Sequence, residues 1–105
     1  MFGKRRIDQR LLGKWSIDPT DEPSIQMYGK IEMDFDSKGN LRYAVASESG
    51  WQVMLMTWRV DGNVIVTNQP SHPREERTPF ELSPEGVLTV AFGGVSTRFL
   101  RVTAA

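Results

Sequence analysis

Apolar and polar side chains alternate along much of this chain. The alternation is clearest over residues 28–36, where Ile31, Met33 and Phe35 are separated by charged residues. Because successive side chains of a β-strand point to opposite faces, this pattern predicts a strand with one face in a core. Similar segments, separated by turn residues, predict about eight short strands in all. Their expected ranges are 14–18, 28–36, 41–47, 51–60, 64–67, 77–83, 87–92 and 95–102.

Short connections that contain glycine predict that these strands form an antiparallel meander. Glycine allows the positive φ angles that tight hairpin turns need. Such turns are expected at residues 36–40, 61–63, 84–86 and 93–94. Residues 19–24, with two prolines, are expected to form a loop. No segment after the first strand predicts a helix long enough for a crossover between parallel strands, so consecutive strands are expected to pair.

Residues 5–12 predict one or two turns of helix before the first strand. Ile7, Leu11 and Leu12 form a narrow apolar stripe, and Gly13 is a natural stop. We therefore expect one all-β domain over residues 1–105, an antiparallel barrel of about eight strands with a short N-terminal helix at one end. An open β-sandwich of the same strands is the alternative architecture.

Residues 51–60 differ from the other predicted strands because they are apolar on both faces. The two faces carry Trp51, Val53 and Leu55 on one side and Met54, Met56 and Trp58 on the other. Only one face of a barrel strand can line the interior, so either register leaves an apolar strip outside. Exposed apolar strips usually mark contacts between molecules. The pattern predicts a homodimer, and a protein–protein interaction module is one candidate function.

The composition argues against several classes of partner and chemistry. The chain has 105 residues, with 13 basic and 13 acidic side chains and no net charge. No field of one sign is expected to attract nucleic acid or an anionic membrane. The sequence contains no cysteine, which excludes disulfides and cysteine-bound metals within these residues. No segment approaches the roughly 20 apolar residues of a membrane span.

The first residues start like the basic end of a signal peptide but lack its apolar middle part. The basic residues at 4–6 are followed by a charged stretch at 7–10. We therefore expect a soluble, cytoplasmic protein, or a periplasmic one if a signal peptide was removed.

Four segments of the sequence, residues 12–15, 57–63, 82–90 and 97–102, resemble segments of one known family. Gly13-Lys14-Trp15, at the head of the predicted meander, resembles the opening Gly-x-Trp of lipocalins. The last strand, with Arg98 and Arg101, is similar to that of small bacterial lipocalin-like (calycin-type) domains, where an arginine lies close to that tryptophan. The resemblance implies a small barrel whose closed end is plugged by Trp15.

The chain also departs from the secreted lipocalins. It is shorter, has no disulfide and lacks the second motif of that family, a Thr-Asp-Tyr-like turn. The resemblance therefore implies the barrel fold, but these departures argue against a deep cavity for a large ligand.

A structural latch is expected at the closed end. Gly13, Trp15 and either Arg98 or Arg101 would form it, because a guanidinium over an indole contributes about 0.5–2 kcal/mol. We interpret this group as structural and not as a binding site.

A second group of residues is expected to line the interior and could bind a small apolar ligand. Methionine fills irregular space and suits adaptable binding surfaces. The group consists of Tyr43, Met54, Met56, Trp58 and Phe80. A fully packed core is the alternative, because an eight-stranded barrel has room for side chains or for one small ligand.

No catalytic or metal site is expected, and no cofactor. His72, the only histidine, lies in a polar loop, and we interpret it as solvated. An enzyme that uses His72 with Glu75 or Glu76 is an alternative hypothesis. The function expected from the sequence is a non-enzymatic, lipocalin-like domain that binds a small apolar ligand.

Acidic residues on the second predicted strand form the other candidate site. Glu32, Asp34 and Asp36 share one outward face. We interpret them as a solvated face with cross-strand ion pairs, not as a metal or acid–base site.

Overall fold

The computed structural model describes residues 7–71 and 73–102. Eight antiparallel strands follow one another around a closed barrel, and the last strand pairs with the first. The predicted all-β antiparallel meander is confirmed. The open-sandwich alternative is wrong, because pairing of the first and last strands leaves no open sheet.

The strands lie close to their predicted ranges. In chain order they are β1 (Gly13–Ile17), β2 (Ile31–Phe35), β3 (Asn40–Ser47), β4 (Gly50–Asp61), β5 (Val64–Asn68), β6 (Glu75–Leu82), β7 (Val87–Phe92) and β8 (Val95–Arg101). Most boundaries differ from the prediction by one or two residues, and β2 begins three residues later. The β7–β8 turn is Gly93-Gly94, with positive φ at both positions, as a type I′ hairpin requires.

A short helix, α1 (Glu22–Tyr28), is the main element that the sequence prediction missed. Part of this segment was predicted as loop because of its prolines. Pro23 instead lies in the first helical turn, where its missing N–H removes no hydrogen bond. Gly29 ends the helix with a φ of 80°. No helix among the described residues is long and apolar enough to cross a membrane.

The packed part of the barrel interior is formed by inward-facing residues from all eight strands. Phe35 and Trp58 meet edge to face, with ring centres 4.8 Å apart. The buried core consists of Leu11, Trp15, Ile17, Ile31, Met33, Phe35, Leu41, Trp58, Val60, Ile65, Phe80, Leu88, Val90 and Phe99.

The two ends of the barrel are covered by different elements. A 3₁₀ turn at Gln9–Leu11 precedes β1, and α1 follows it, so the two elements lie at opposite ends of the barrel. Of the helix predicted for residues 5–12, the structure describes residues 7–12, and only Gln9–Leu11 among them are helical, as this 3₁₀ turn; residues 1–6 lie outside the description. At the other end, α1 packs beside β7 and β8. There the Tyr28 hydroxyl donates to the Phe92 carbonyl at 3.1 Å, and the Thr97 hydroxyl donates to Ser24 Oγ at 3.1 Å.

Strand β4 is the longest strand and pairs unevenly with its two neighbours. It pairs with β3 over residues 50–57 but with β5 only over residues 57–61. Its inward face includes Met54, Met56 and Trp58, which leaves the other apolar face outside. The side chains of Trp51, Val53 and Leu55 are 51%, 44% and 67% exposed.

Candidate functional site

A cavity of about 340 Å³ lies inside the barrel. It lies towards the end where β5 finishes and β6 begins, because Gln69 and Arg74 of the connecting loop contribute to its wall. In this antiparallel meander that end is also the end covered by α1. The volume falls within the usual range of small-molecule sites.

The apolar part of the wall comes mostly from β2, β3, β4 and β7. Met54 and Met56 project into the cavity from β4, directly across from Tyr43 and Leu41 of β3. The methionine side chains are flexible, so this part of the wall can adapt to ligands of different shape. The apolar lining consists of Met33, Phe35, Leu41, Met54, Met56, Ile65, Val90 and Phe92.

The polar part of the wall is concentrated on one side. It is formed by Thr67, Gln69, Arg74, Glu76 and Thr78, from β5, β6 and the loop between them. Arg74 Nε and Glu76 Oε1 are 3.9 Å apart, and their side chains are 80% and 62% exposed. Such an exposed pair stabilises the fold little, but its opposite charges leave this side of the cavity with no net charge.

Tyr43 is positioned between the apolar and polar parts of the wall. Its ring meets Phe92 edge to face at 6.4 Å, and Phe92 in turn packs against Phe99 and Tyr28. Burial raises the pKa of Tyr43 to about 12, with smaller electrostatic contributions from Tyr28 and Glu76. The phenol therefore stays neutral at physiological pH and can donate or accept a hydrogen bond. No residue in the described part of the chain forms a hydrogen bond with it.

Two residues predicted to bind ligand do not line this cavity. Trp58 faces inward but is packed against Phe35, and its indole N–H donates to the Asp36 carbonyl at 3.1 Å. Phe80 is 5% exposed and lies towards the opposite end of the barrel, near Leu82. Both residues belong to the buried core of the barrel. Tyr43, Met54 and Met56, from the same predicted group, do line the cavity.

The closed end of the barrel is built around Trp15. Its indole is fully buried, and its N–H donates to the Leu11 carbonyl at 2.9 Å. The Arg101 guanidinium lies over the ring, with its carbon 4.3 Å from the ring centre, and also donates to the Leu12 carbonyl. Gly13 lies beside this guanidinium. These contacts fix the closed end of the barrel.

Arg98, the other arginine that the sequence offers for the latch, points away from Trp15. Its Nε lies 3.3 Å from Asp18 Oδ2, and its backbone N–H donates to Asp21 Oδ2 at 3.0 Å. Residues 98 and 101 differ by an odd number, so their side chains leave opposite faces of β8. Arg98 therefore connects β8 to the segment that leads into α1.

The carboxylates of β2 and its turn take part in local structure. Glu32 lies 3.4 Å from Lys14 Nζ. Asp36 Oδ1 accepts hydrogen bonds from the backbone N–H groups of Lys38 and Asn40, which stabilises the hairpin turn. The described residues contain no group of three or more acidic or histidine side chains that could hold a metal ion. His72 lies outside the described residues.

Sequence reasoning missed the polar side of the cavity. Thr67 and Thr78 were treated as ordinary polar positions, and Glu76 was considered only as a partner of His72, although Glu76 and Thr78 share the inward parity of Phe80. That parity is the one signal that could have identified them. Gln69 and Arg74 lie in a loop, where no periodicity in the sequence indicates the direction in which a side chain points.

Comparison of the chain with family models, with curated proteins and with solved structures finds no match. The candidate site is therefore assigned from its own geometry alone.

Proposed function

We propose that this chain binds a small, neutral, mostly apolar molecule in the barrel cavity. The observation that carries this proposal is the cavity of about 340 Å³ with a mainly apolar wall and one polar side. A well-formed apolar pocket with a few convergent polar groups is the usual form of a ligand site. A charged ligand would be disfavoured, because desolvation of its charge is not offset by an unpaired opposite charge on the wall.

The polar side implies that the ligand carries one hydrogen-bonding group. Tyr43, Thr67 and Thr78 offer hydroxyls, and Gln69 offers an amide. A ligand hydroxyl or carbonyl placed near Tyr43 would pair with the neutral phenol. The hydrocarbon part of the same ligand would then lie against Met54 and Met56.

A lipocalin-like relationship, including its small bacterial members, is part of this proposal. The barrel topology and the contact between Trp15 and Arg101 support it. We also predict that the protein is not an enzyme and that it is cytoplasmic.

The first test is direct detection of a bound molecule. Native mass spectrometry of freshly purified protein should show an added mass that is lost on denaturation. N-phenyl-1-naphthylamine, a neutral fluorescent probe, should then bind to protein from which that molecule has been removed. A protein that carries no added mass and does not bind the probe would contradict the proposal.

Cavity filling provides the matched variants. Met56→Trp places a larger side chain in the cavity and should weaken probe binding by about tenfold or more. Leu100→Trp adds the same indole to an outward position on β8, which is 38% exposed, and should bind the probe like the wild type. Equal probe affinity in the two variants would show that the probe binds outside the barrel.

The role of Tyr43 can be tested with a pair of related compounds. Tyr43→Phe removes only the hydroxyl. It should weaken the binding of 1-naphthol by about two- to tenfold, the range for one neutral hydrogen bond. Binding of naphthalene should be unchanged. Equal losses for both compounds would indicate a packing change instead of a lost hydrogen bond.

A further inference from the structure

The N-terminal part of β4, residues 50–56, has one edge that no described strand covers. Its pairing with β3 extends from Asn40 opposite Thr57 to Ser47 opposite Gly50. On its other side, pairing with β5 begins only at Thr57 opposite Asn68. Residues 50–56 therefore have a strand on one side only. Beyond β5 the chain continues past Leu55 and Met56 through Pro70, which has no N–H to add to this edge.

The ladder geometry identifies the backbone groups on this free edge. The Trp58 N–H donates to the Gly39 carbonyl at 2.9 Å, so residue 58 points its backbone groups towards β3. In an antiparallel ladder this direction alternates along the strand. The N–H and C=O groups of Trp51, Val53 and Leu55 therefore point to the free edge. No described residue forms a hydrogen bond with these six groups.

The side chains along this edge add an apolar surface to the unpaired backbone. Trp51, Val53 and Leu55 are the outward residues of the same stretch, and all three are exposed. Residues 49–58 contain no charged side chain and no proline. Exposed edges in monomeric proteins are usually protected by lysine, proline or a bulge. Within β4 itself, residues 50–56 carry no such protection.

The edge is also complementary to itself. If two copies pair antiparallel about a two-fold axis at Val53, Trp51 of each copy lies opposite Leu55 of the other. The three residues with outward backbone groups then face one another, so every unpaired N–H meets a C=O. The outward side chains form one continuous apolar strip across both copies. The absence of net charge means that no overall repulsion opposes this contact.

We propose that the free edge of β4 is a docking edge for a second copy of this chain, which joins the two barrels by antiparallel pairing centred on Val53. The contact supplies both backbone hydrogen bonds and burial of Trp51, Val53 and Leu55. It does not depend on the proposed ligand, and either proposal can fail without the other.

Amide hydrogen exchange of the wild-type protein tests the geometry without any variant. Measured by NMR from about 10 µM to about 1 mM, the amides of Trp51, Val53 and Leu55 should exchange more slowly as dimer forms. The amides of Gln52 and Met54, which bond to β3, should be protected at every concentration. Sedimentation should show a dimer over the same range. A monomer at the highest concentration, or a dimer in which those three amides exchange at unchanged rates, would overturn the proposal.

Two substitutions at Val53 test the same edge. Val53→Pro removes the outward N–H but leaves the β3 ladder intact, and Val53→Lys places a charge in the apolar strip. Each should weaken dimerisation by about tenfold or more. Leu100→Lys is the matched control, because β8 is paired on both sides, and it should dimerise like the wild type.

Circular dichroism confirms that each variant is folded before its association is measured. If Val53→Pro does not fold, Val53→Lys and the wild-type amides still decide the question. A folded Val53→Lys that dimerises as strongly as Leu100→Lys would show that the contact lies elsewhere.

Discussion

The Arg101 guanidinium lies over the Trp15 indole, with its carbon 4.3 Å from the ring centre, and it reaches this position by passing close to Gly13. A Cβ atom added to Gly13 would lie 2.9 Å from Arg101 Nη1. The backbone at Gly13 also has a φ of 108°, which side chains rarely allow. Two separate structural features, the positive φ and the closeness of Arg101, therefore require glycine at the first position of the Gly-x-Trp motif.

Substitution of Gly13 by alanine should destabilise the protein. Backbone strain alone costs roughly 1–3 kcal/mol, and displacement of Arg101 adds to it. Gly50→Ala is the matched control, because Gly50 has a φ of 111° but nothing within 4 Å of an added Cβ. Urea unfolding should show a larger loss for Gly13→Ala. In an Arg101→Ala background the difference between the two variants should shrink, and a constant difference would exclude a clash with Arg101.

Removal of the buried Trp15 indole should destabilise the barrel strongly. Trp15→Ala should lower the free energy of unfolding by about 3–5 kcal/mol, because a large side chain is lost and a cavity remains. The Leu11 carbonyl also loses its hydrogen bond. Thermal or urea unfolding measures the change. A melting temperature close to that of the wild type would mean that Trp15 does not hold the end of the barrel.

Acid should destabilise the fold through three aspartates. Hydrogen bonds from backbone N–H groups lower the pKa of Asp18, Asp21 and Asp36, with Thr20, Arg98 and Asn40 as the main donors. Their contribution is complete above the unfolded value of about 3.9 and is lost as the pH falls through the lower folded values. The melting temperature should be level near pH 6 and fall below about pH 4.

Asp21→Asn provides the variant for this test. It removes one of the three charges, so the fall in melting temperature in acid should be smaller than in the wild type. A melting temperature that stays constant down to about pH 2 would contradict the role of these carboxylates.

Tyr43 should titrate late on the alkaline side. Burial raises its pKa to about 12, while the unfolded phenol ionises near the usual value of about 10. The unfolded chain therefore loses its proton first, and the stability of the fold falls between these two values. Tyrosinate absorbance of the folded protein should show a step that is absent in Tyr43→Phe. Ionisation of Tyr43 at its usual pKa would mean that the phenol is open to water.

The sequence predicted well which side chains point into the barrel, but it did not predict where along the barrel axis each of them lies. The alternation of Ile31, Met33 and Phe35 predicted which side chains enter the barrel, and the barrel is confirmed. The periodicity of a strand does not indicate which inward side chains from different strands lie at the same position along the barrel axis. Met56 and Trp58 share a face, yet one lines the cavity and the other is packed.

The missed helix has a different cause. Pro23 is compatible with a loop and with a first helical turn, and the seven residues of α1 are too few to show a clear helical period. The loop residues Gln69 and Arg74 could not be placed from sequence, because loops have no period from which a direction can be inferred.

The order of the strands has a consequence for the kinetics of folding. Seven of the eight strand contacts join neighbours in the chain, whereas β1 and β8 meet only when the meander curls back on itself. Contacts between distant segments cost the most chain entropy, so this seam is expected to form late. Changes at Trp15 or Arg101 should then speed unfolding more than they slow folding. Because Trp15 lies at this contact between β1 and β8, its fluorescence should change in the last step of folding, when the barrel closes.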